Sequence, residues 1–167
     1  MQEVEYCVVV LRTDIEQTKK IFEDIKPSFD IAKGAYATEM SLLTKKPESF
    51  YKIKEEDYPQ TFCLAIDKNN NVLGFIYLES EDKTKTLWTC HVYVRPEVRK
   101  KGIYKLMIQR VHKFAKEAGF QRVFSVVHQN NKPSQRAHKS VGFKRRWIGY
   151  EIEEGEVAND NYQNIVG

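Results

Sequence analysis

The chain has 167 residues, 41% hydrophobic and 30% charged, which suits one soluble domain with a core that needs no metal or disulfide staple. No run approaches the ~18 consecutive apolar residues of a membrane span, and the acidic start Met1-Gln2-Glu3-Val4-Glu5 lacks the basic and apolar regions of a signal peptide, so a cytoplasmic protein without membrane association is expected. The net charge is only +4, but the stretch Lys100–Lys116 holds cations and no acid, which points to an anionic ligand there.

Taken in chain order, Tyr6–Leu11 is a valine-rich run that predicts a strand. Thr13 or Asp14 is placed to cap a helix whose apolar positions are Ile15, Ile21, Phe22 and Ile25, with Pro27 expected to end it. Phe29–Tyr36, which contains Gly34, reads as a loop, and a second helical segment is expected around Thr38–Thr44. Phe62–Asp67 and Val72–Glu79 are apolar runs joined by Lys68-Asn69-Asn70-Asn71, which is hairpin chemistry because Asn tolerates positive φ. Ser80–Lys85 reads as the next turn and Thr86–Val94 as a third antiparallel strand, stopped by Pro96.

Gly102 opens the most regular helix. Tyr104, Met107, Ile108, Val111, Ala115 and Ala118 follow helical spacing up to Gly119. Val123–Val127 follows as a strand, and the strand–helix–strand order implies a parallel crossover. Pro133 begins a short helix running to about Val141 and ended by Gly142, and Phe143–Ile152 reads as a last strand. No internal repeat or linker composition is present, so the elements describe a single domain with a mixed α/β sheet. Cys7, Cys63 and Cys90 each lie in a strand-like run. Their odd number and the absence of a CxxC pattern predict free thiols and no metal site.

The helix starting near Gly102 is electrically unusual. Helix N-termini carry about +0.5 charge and favour acids in the first turn, yet this one is preceded by Arg99-Lys100-Lys101 and contains Lys105. Such an end is stable when an anion sits on its N–H groups.

These residues resemble a known family. Val94-Arg95-Pro96-Glu97-Val98-Arg99-Lys100-Lys101-Gly102-Ile103-Tyr104-Lys105-Leu106 is similar to motif A of the GNAT (GCN5-related N-acetyltransferase) superfamily, whose pattern is Arg/Gln-x-x-Gly-x-Gly/Ala after a strand ending in Val-x-Pro. Arg99 and Gly102 fit. Tyr104 stands where Gly or Ala is usual, so its ring is expected to point away from the phosphates or to pack beside the pantetheine. Asn131 to Phe143 resembles the family's Asn-x-x-(Ser/Ala)-x-x-x-Tyr-x-x-x-Gly-Phe segment, with His138 in place of the tyrosine.

The resemblance implies an α/β (α+β) fold over residues 1–167, a GNAT acyl-CoA N-acyltransferase fold with a mixed six- to seven-stranded sheet flanked by about four helices. It implies acetyl-CoA as cofactor, with no metal, and a direct transfer of the acetyl group to an amine, the acceptor being a small molecule. It assigns the pyrophosphate to the backbone of Arg99, Lys100, Lys101, Gly102, Ile103, Tyr104 and Lys105, and the pantetheine to Val92, Tyr93, Val94, Asn131, Ser134 and His138. A backbone N–H near Val92 or Tyr93 is the expected oxyanion donor. His138 is the expected acid for the leaving thiolate.

For the general base the family positions fall on Trp88 and Cys90, neither of them basic. His91 faces the other way by strand alternation unless a bulge intervenes, and Glu79 is a comparable candidate. Phe29, Tyr36, Trp88 and Tyr150 are candidate walls of the acceptor pocket. Three readings stand beside this one: a protein N-terminal or lysine acetyltransferase, a non-catalytic CoA-binding or partner-binding module, and a nucleic-acid binder built on the basic helix. The last is disfavoured because the helix carries no readout motif. A homodimer fits the family.

Overall fold

The computed structural model describes residues 5–13, 15–53 and 61–146. Five strands form one sheet in sequence order: β1 (Tyr6–Arg12), β2 (Thr61–Asp67), β3 (Val72–Glu81), β4 (Thr86–Val94) and β5 (Arg122–Ser125). The first three pairings are antiparallel and β4–β5 is parallel. Three α-helices accompany them: α1 (Glu16–Thr44), α2 (Ile103–Glu117) and α3 (Lys132–Ser140). The α/β class and the mixed sheet agree with expectation. The described strands number five rather than six or seven, and the α-helices three rather than four.

α1 occupies one face of the sheet and α2 the other. Phe62, Leu64, Phe75, Tyr77 and Tyr93 meet Phe22, Ile25, Phe29 and Tyr36 on the α1 side. Cys63, Ala65, Ile76, Leu78 and Leu87 meet Ile103, Met107, Ile108 and Val111 on the α2 side. Because both faces are covered, β2 and β3 are continuous apolar runs rather than alternating ones.

The largest departure from the sequence reading is α1. Pro27 does not end it, Phe29–Tyr36 is not a loop, and Thr38–Thr44 is the last part of the same 29-residue helix. A proline inside a helix costs about 3 kcal/mol and an exposed glycine about 1 kcal/mol. Phe22, Ile25, Phe29, Ala32, Tyr36 and Ala37 form one buried stripe through both breakers, and at about 1.5–3 kcal/mol for each large apolar side chain buried that stripe outweighs them. The helix N-cap is Ile15, with no side-chain cap; Asp14 lies outside the described residues. β5 is shorter than expected, ending at Ser125. Phe143–Arg146 is not strand, and the rest of the predicted last strand lies outside the described residues.

Gly74 fits β3 against β4 because it has no side chain. A Cβ there would lie 2.8 Å from the Tyr93 carbonyl oxygen and 3.2 Å from the Met107 methyl. Gly74→Ala is therefore expected to destabilise the fold by about 1–3 kcal/mol, read as a lower denaturant midpoint with an unchanged m-value.

Candidate active site

The site forms where β4 loses a neighbour. β5 pairs with β4 from Thr86↔Arg122 to Thr89↔Ser125 and then stops, while β4 stays paired with β3 to Val94. Among the described residues, the edge of β4 from Cys90 to Val94 that would face β5 has no strand partner. On its other side, Ile76 opposes Val92 and Leu78 opposes Thr89, so β4 carries one extra residue there. This bulge at Cys90–His91 turns His91 onto the α1 face beside Cys90, whereas Val92 and Val94 pack on the α2 side. The bulge that would redirect His91 is present.

On the α1 face, the Tyr36 hydroxyl is 2.7 Å from His91 Nδ1, and the Tyr36 and Tyr77 rings pack edge-on against the imidazole. Burial holds the His91 pKa below its ordinary value, with the Glu79 carboxylate pulling the other way. Burial pushes the Cys90 thiol up to about 12, reinforced by Glu79. A thiol held protonated is a poor nucleophile, which disfavours Cys90 as a covalent acyl carrier. Trp88 opposes Glu79 across the strands and stacks on Phe124 at 5.2 Å. Phe29 is 0% exposed within a ring cluster of Phe22, Phe62 and Phe75, so the expectation that it walls a pocket is corrected: it is core. Tyr150 lies outside the described residues.

The segment for which the sequence predicts an anion is the turn before α2. Lys100 has φ +63° and Gly102 φ +82°, which directs the chain into α2 with Gly102 as N-cap, no side-chain cap and no acid in the first turn. The first hydrogen bond back to the cap is made by Leu106 N–H to the Gly102 carbonyl, so the N–H groups of Ile103, Tyr104 and Lys105 precede the helical ladder. The Arg99 side chain turns away from them. Its Nε donates to the Val94 carbonyl at 2.8 Å and its guanidinium bonds Glu39 of α1 at 2.5 Å, lying 5.7 Å from the Tyr93 ring centre. The local cations at the helix end are therefore Lys100, Lys101 and Lys105. Tyr104 packs its ring against His138 at 5.3 Å, and its hydroxyl is buried with no hydrogen-bond partner among the described residues.

α3 closes the far side. Asn131 caps it, its side-chain oxygen accepting from Ser134 N–H at 3.1 Å, and its amide nitrogen lies 3.9 Å from the Met40 sulfur. His138 is 6% exposed. Its Nδ1 lies 2.8 Å from the Ser134 carbonyl oxygen and 3.3 Å from the Ser134 hydroxyl, and its Nε2 is 2.6 Å from Ser125 Oγ. A carbonyl only accepts, so Nδ1 carries the proton and Nε2 presents a lone pair to the serine. Burial lowers the His138 pKa, with the Ser134 carbonyl opposing this. Ser125 was invisible as a site residue in the sequence; the one signal is its register in the run Val123-Phe124-Ser125-Val126-Val127, a polar residue two positions after core-packed Val123.

With this geometry in hand, the sequence model described as "Acetyltransferase (GNAT) family" matches residues 19–143. The chain belongs to that family. A GNAT relative, the SPbeta prophage-derived uncharacterized N-acetyltransferase YokL of Bacillus subtilis (strain 168), is 31% identical over 83 residues, covering 49% of this chain and 47% of the relative. The chain thus matches about half the length of that relative. Among solved structures, the ribosomal-protein-alanine N-acetyltransferase of Brucella melitensis biovar Abortus 2308 aligns with TM-score 0.58 and 17% identity over 89% of this chain and 98% of that one. The aminoglycoside N-acetyltransferase AAC(6')-Iy in complex with CoA aligns with TM-score 0.60 and 16% identity over 90% and 97%. The aminoglycoside acetyltransferase meta-AAC0020 from an uncultured soil metagenomic sample aligns with TM-score 0.61 and 14% identity over 89% and 95%. At these identities the likeness is one of GNAT fold. Among the described residues no helix is long and apolar enough to cross a membrane, and no group of three His, Cys, Asp or Glu is placed to hold a metal.

Both buried histidines have lowered pKa values, so the unfolded chain, with histidines near 6.5, binds protons before the native one does. Stability is then fully present above about pH 6.5 and falls as the pH drops toward the native values. Thermal unfolding between pH 5 and 7.5 is expected to show this decline, and His91→Gln to flatten it.

Proposed function

We propose that this GNAT protein transfers the acetyl group of acetyl-CoA to a primary amine, the acceptor being a small molecule, by direct attack in a ternary complex. The observation that carries the reading is a strand with a free edge, Cys90–Val94, leading into a helix start that has no cap side chain and no acid. An acyl-pantetheine offers amide groups that suit the first, and a pyrophosphate suits the second.

Acetyl-CoA supplies, when bound, an acyl group activated as a thioester. Everything else falls to the chain. The N–H groups of Gly102, Ile103 and Tyr104, with Lys100, Lys101 and Lys105, take the phosphates. Val92, Val94, Asn131 and Ser134 line the pantetheine, and an N–H at Val92 or Tyr93 on the free edge serves the oxyanion.

The acceptor approaches from the α1 face, where Glu79 attracts an ammonium group and His91 takes its proton. In this reading His91 takes the tautomer with its proton on Nδ1, the Tyr36 oxygen accepting across 2.7 Å, so that Nε2 offers a lone pair, and burial lowers the imidazole pKa in favour of that neutral form. Trp88 flanks this approach, and Tyr36, packed in the core beneath it, holds His91 from within. Base and sulfur thus lie on opposite faces of the sheet, joined through the gap beyond Thr89. Fold neighbours include acetyltransferases of aminoglycosides and of a ribosomal protein, so the small-amine acceptor is the part of this reading that an amine panel decides.

An amine panel spanning aminoglycosides, polyamines and peptide N-termini, assayed by CoA release, is the direct test. Turnover on a small amine supports the reading, turnover confined to peptides redirects it, and no turnover on any amine leaves only a binding module. His91→Gln is expected to lower kcat about hundredfold with little change in acetyl-CoA affinity. Lys101→Glu with Lys105→Glu is expected to weaken acetyl-CoA binding about tenfold or more, measured by calorimetry, an effect of about 1.4 kcal/mol.

A further inference from the structure

Ser125, His138 and the Ser134 carbonyl form a chain with the polarity of an activated serine. His138 Nδ1–H is fixed on the carbonyl at 2.8 Å, so its Nε2 lone pair meets Ser125 Oγ at 2.6 Å. The imidazole is held from three sides: the Tyr104 ring at 5.3 Å, the Phe143 ring at 5.1 Å, and its own helix. The ring cannot turn to offer Nε2 elsewhere, and as an acceptor in its resting state it can give a proton only after taking one. Nucleophile, base and a third group that orients the base are the parts of covalent acyl chemistry. Their location matters as much as their geometry. Ser125 is the last residue of β5 paired to β4, opposite Thr89, at the apex of the gap, and it is only half buried.

We propose that Ser125 and His138 form a nucleophilic dyad that gives this GNAT domain a second activity, hydrolysis of an acyl-CoA thioester through an acyl-serine. The inference rests on the reading that the gap holds an acyl-CoA. Ser125 Oγ adds to the thioester carbonyl carbon while His138 Nε2 takes its proton. The carbon–sulfur bond breaks, and the imidazolium returns that proton to the departing sulfur, leaving free thiol and an ester on Ser125. Water then adds to the ester carbon, again giving a proton to Nε2. The carbon–oxygen bond breaks, the proton returns to Oγ, and the carboxylic acid leaves. An N–H on the free edge of β4 is available to the oxyanion of both steps. His138 is the acid for the sulfur here, as the position implies, but with a proton it first receives from Ser125.

The charged and titratable groups of the opposite face, Glu79, Cys90 and His91, lie across the sheet from the dyad, so the proton of the amine and the proton of Ser125 go to different groups. Three readouts test the dyad. A fluorophosphonate probe, applied without any CoA compound, is expected to label wild-type protein at Ser125 and to label neither Ser125→Ala nor His138→Gln. Thiol release from acetyl-CoA without an amine is expected to fall about hundredfold in Ser125→Ala. Intact mass after rapid acid quenching is expected to show one acyl group on wild-type protein, mapped to Ser125. Thermal unfolding confirms that Ser125→Ala is folded, and calorimetry with acetyl-CoA runs in parallel. If the folded protein binds acetyl-CoA and acetylates an amine, yet Ser125 takes neither probe nor acyl group and thiol release survives Ser125→Ala, the dyad is overturned and the transferase reading stands. If acetyl-CoA does not bind at all, both fall.

Discussion

Among the described residues, β4 is paired on both edges from Thr86 to Thr89 and, past the bulge, on the β3 edge alone from Val92 to Val94. A half-paired strand inside a sheet leaves backbone donors and acceptors that need partners. Here the unpaired length begins where the bulge at Cys90–His91 adds its extra residue. The two irregularities are complementary. The end of β5 opens the gap, and the bulge decides which side chains look into each side of it. Without the bulge, His91 would sit among Leu78 and Leu87 on the α2 face. With it, His91 reaches Tyr36 and comes under the influence of Glu79.

The sheet thereby separates two kinds of chemistry. Its α1 face carries the exposed Glu79, the His91 imidazole and the buried Tyr36 and Tyr77 phenols packed against it. Its α2 face carries the half-buried Ser125 against the buried His138, and the basic turn before α2 leads to Tyr104, whose ring meets the same histidine. Lys100 and Gly102 take left-handed backbone conformations in that turn. Glycine does so at no steric cost, while the non-glycine Lys100 is held there by the surrounding chain. Tyr104, where the family has a small residue, projects its ring toward α3 and meets His138. The two departures from the family pattern touch each other.

What could be read in the sequence followed local rules. β2, β3 and β4 were legible because their apolar runs are bounded by Asn-rich and polar turns. α2 was legible because an unbroken helical stripe lies between two glycines, and α3 because Asn131 and Pro133 mark its start. α1 was misread because Pro27 and Gly34 are strong local breakers, and only the aromatic stripe seated on the sheet explains why the helix runs through them. The same misreading put Phe29 in a pocket: a loop aromatic invites a ligand, whereas a helix residue in register with Ile25 and Ala32 is core. His91 was legible as a conditional, since its facing depends on a one-residue register shift that alternation cannot supply. Ser125 was not legible, because it ends a strand and its side-chain partner, His138, stands on α3.

The Arg99–Glu39 pair joins the basic turn before α2 to α1 across 60 positions of chain, while Arg95 ties the end of β4 to Ser28 of the same helix at 3.1 Å. α1 and the segment between β4 and α2 are therefore clasped at two points. Anyone building chimeras in this fold, by exchanging the N-terminal helix for that of a relative with another acceptor, would sever both clasps. Such a graft has to carry Ser28 and Glu39 with it, or the crossover has to fall beyond them.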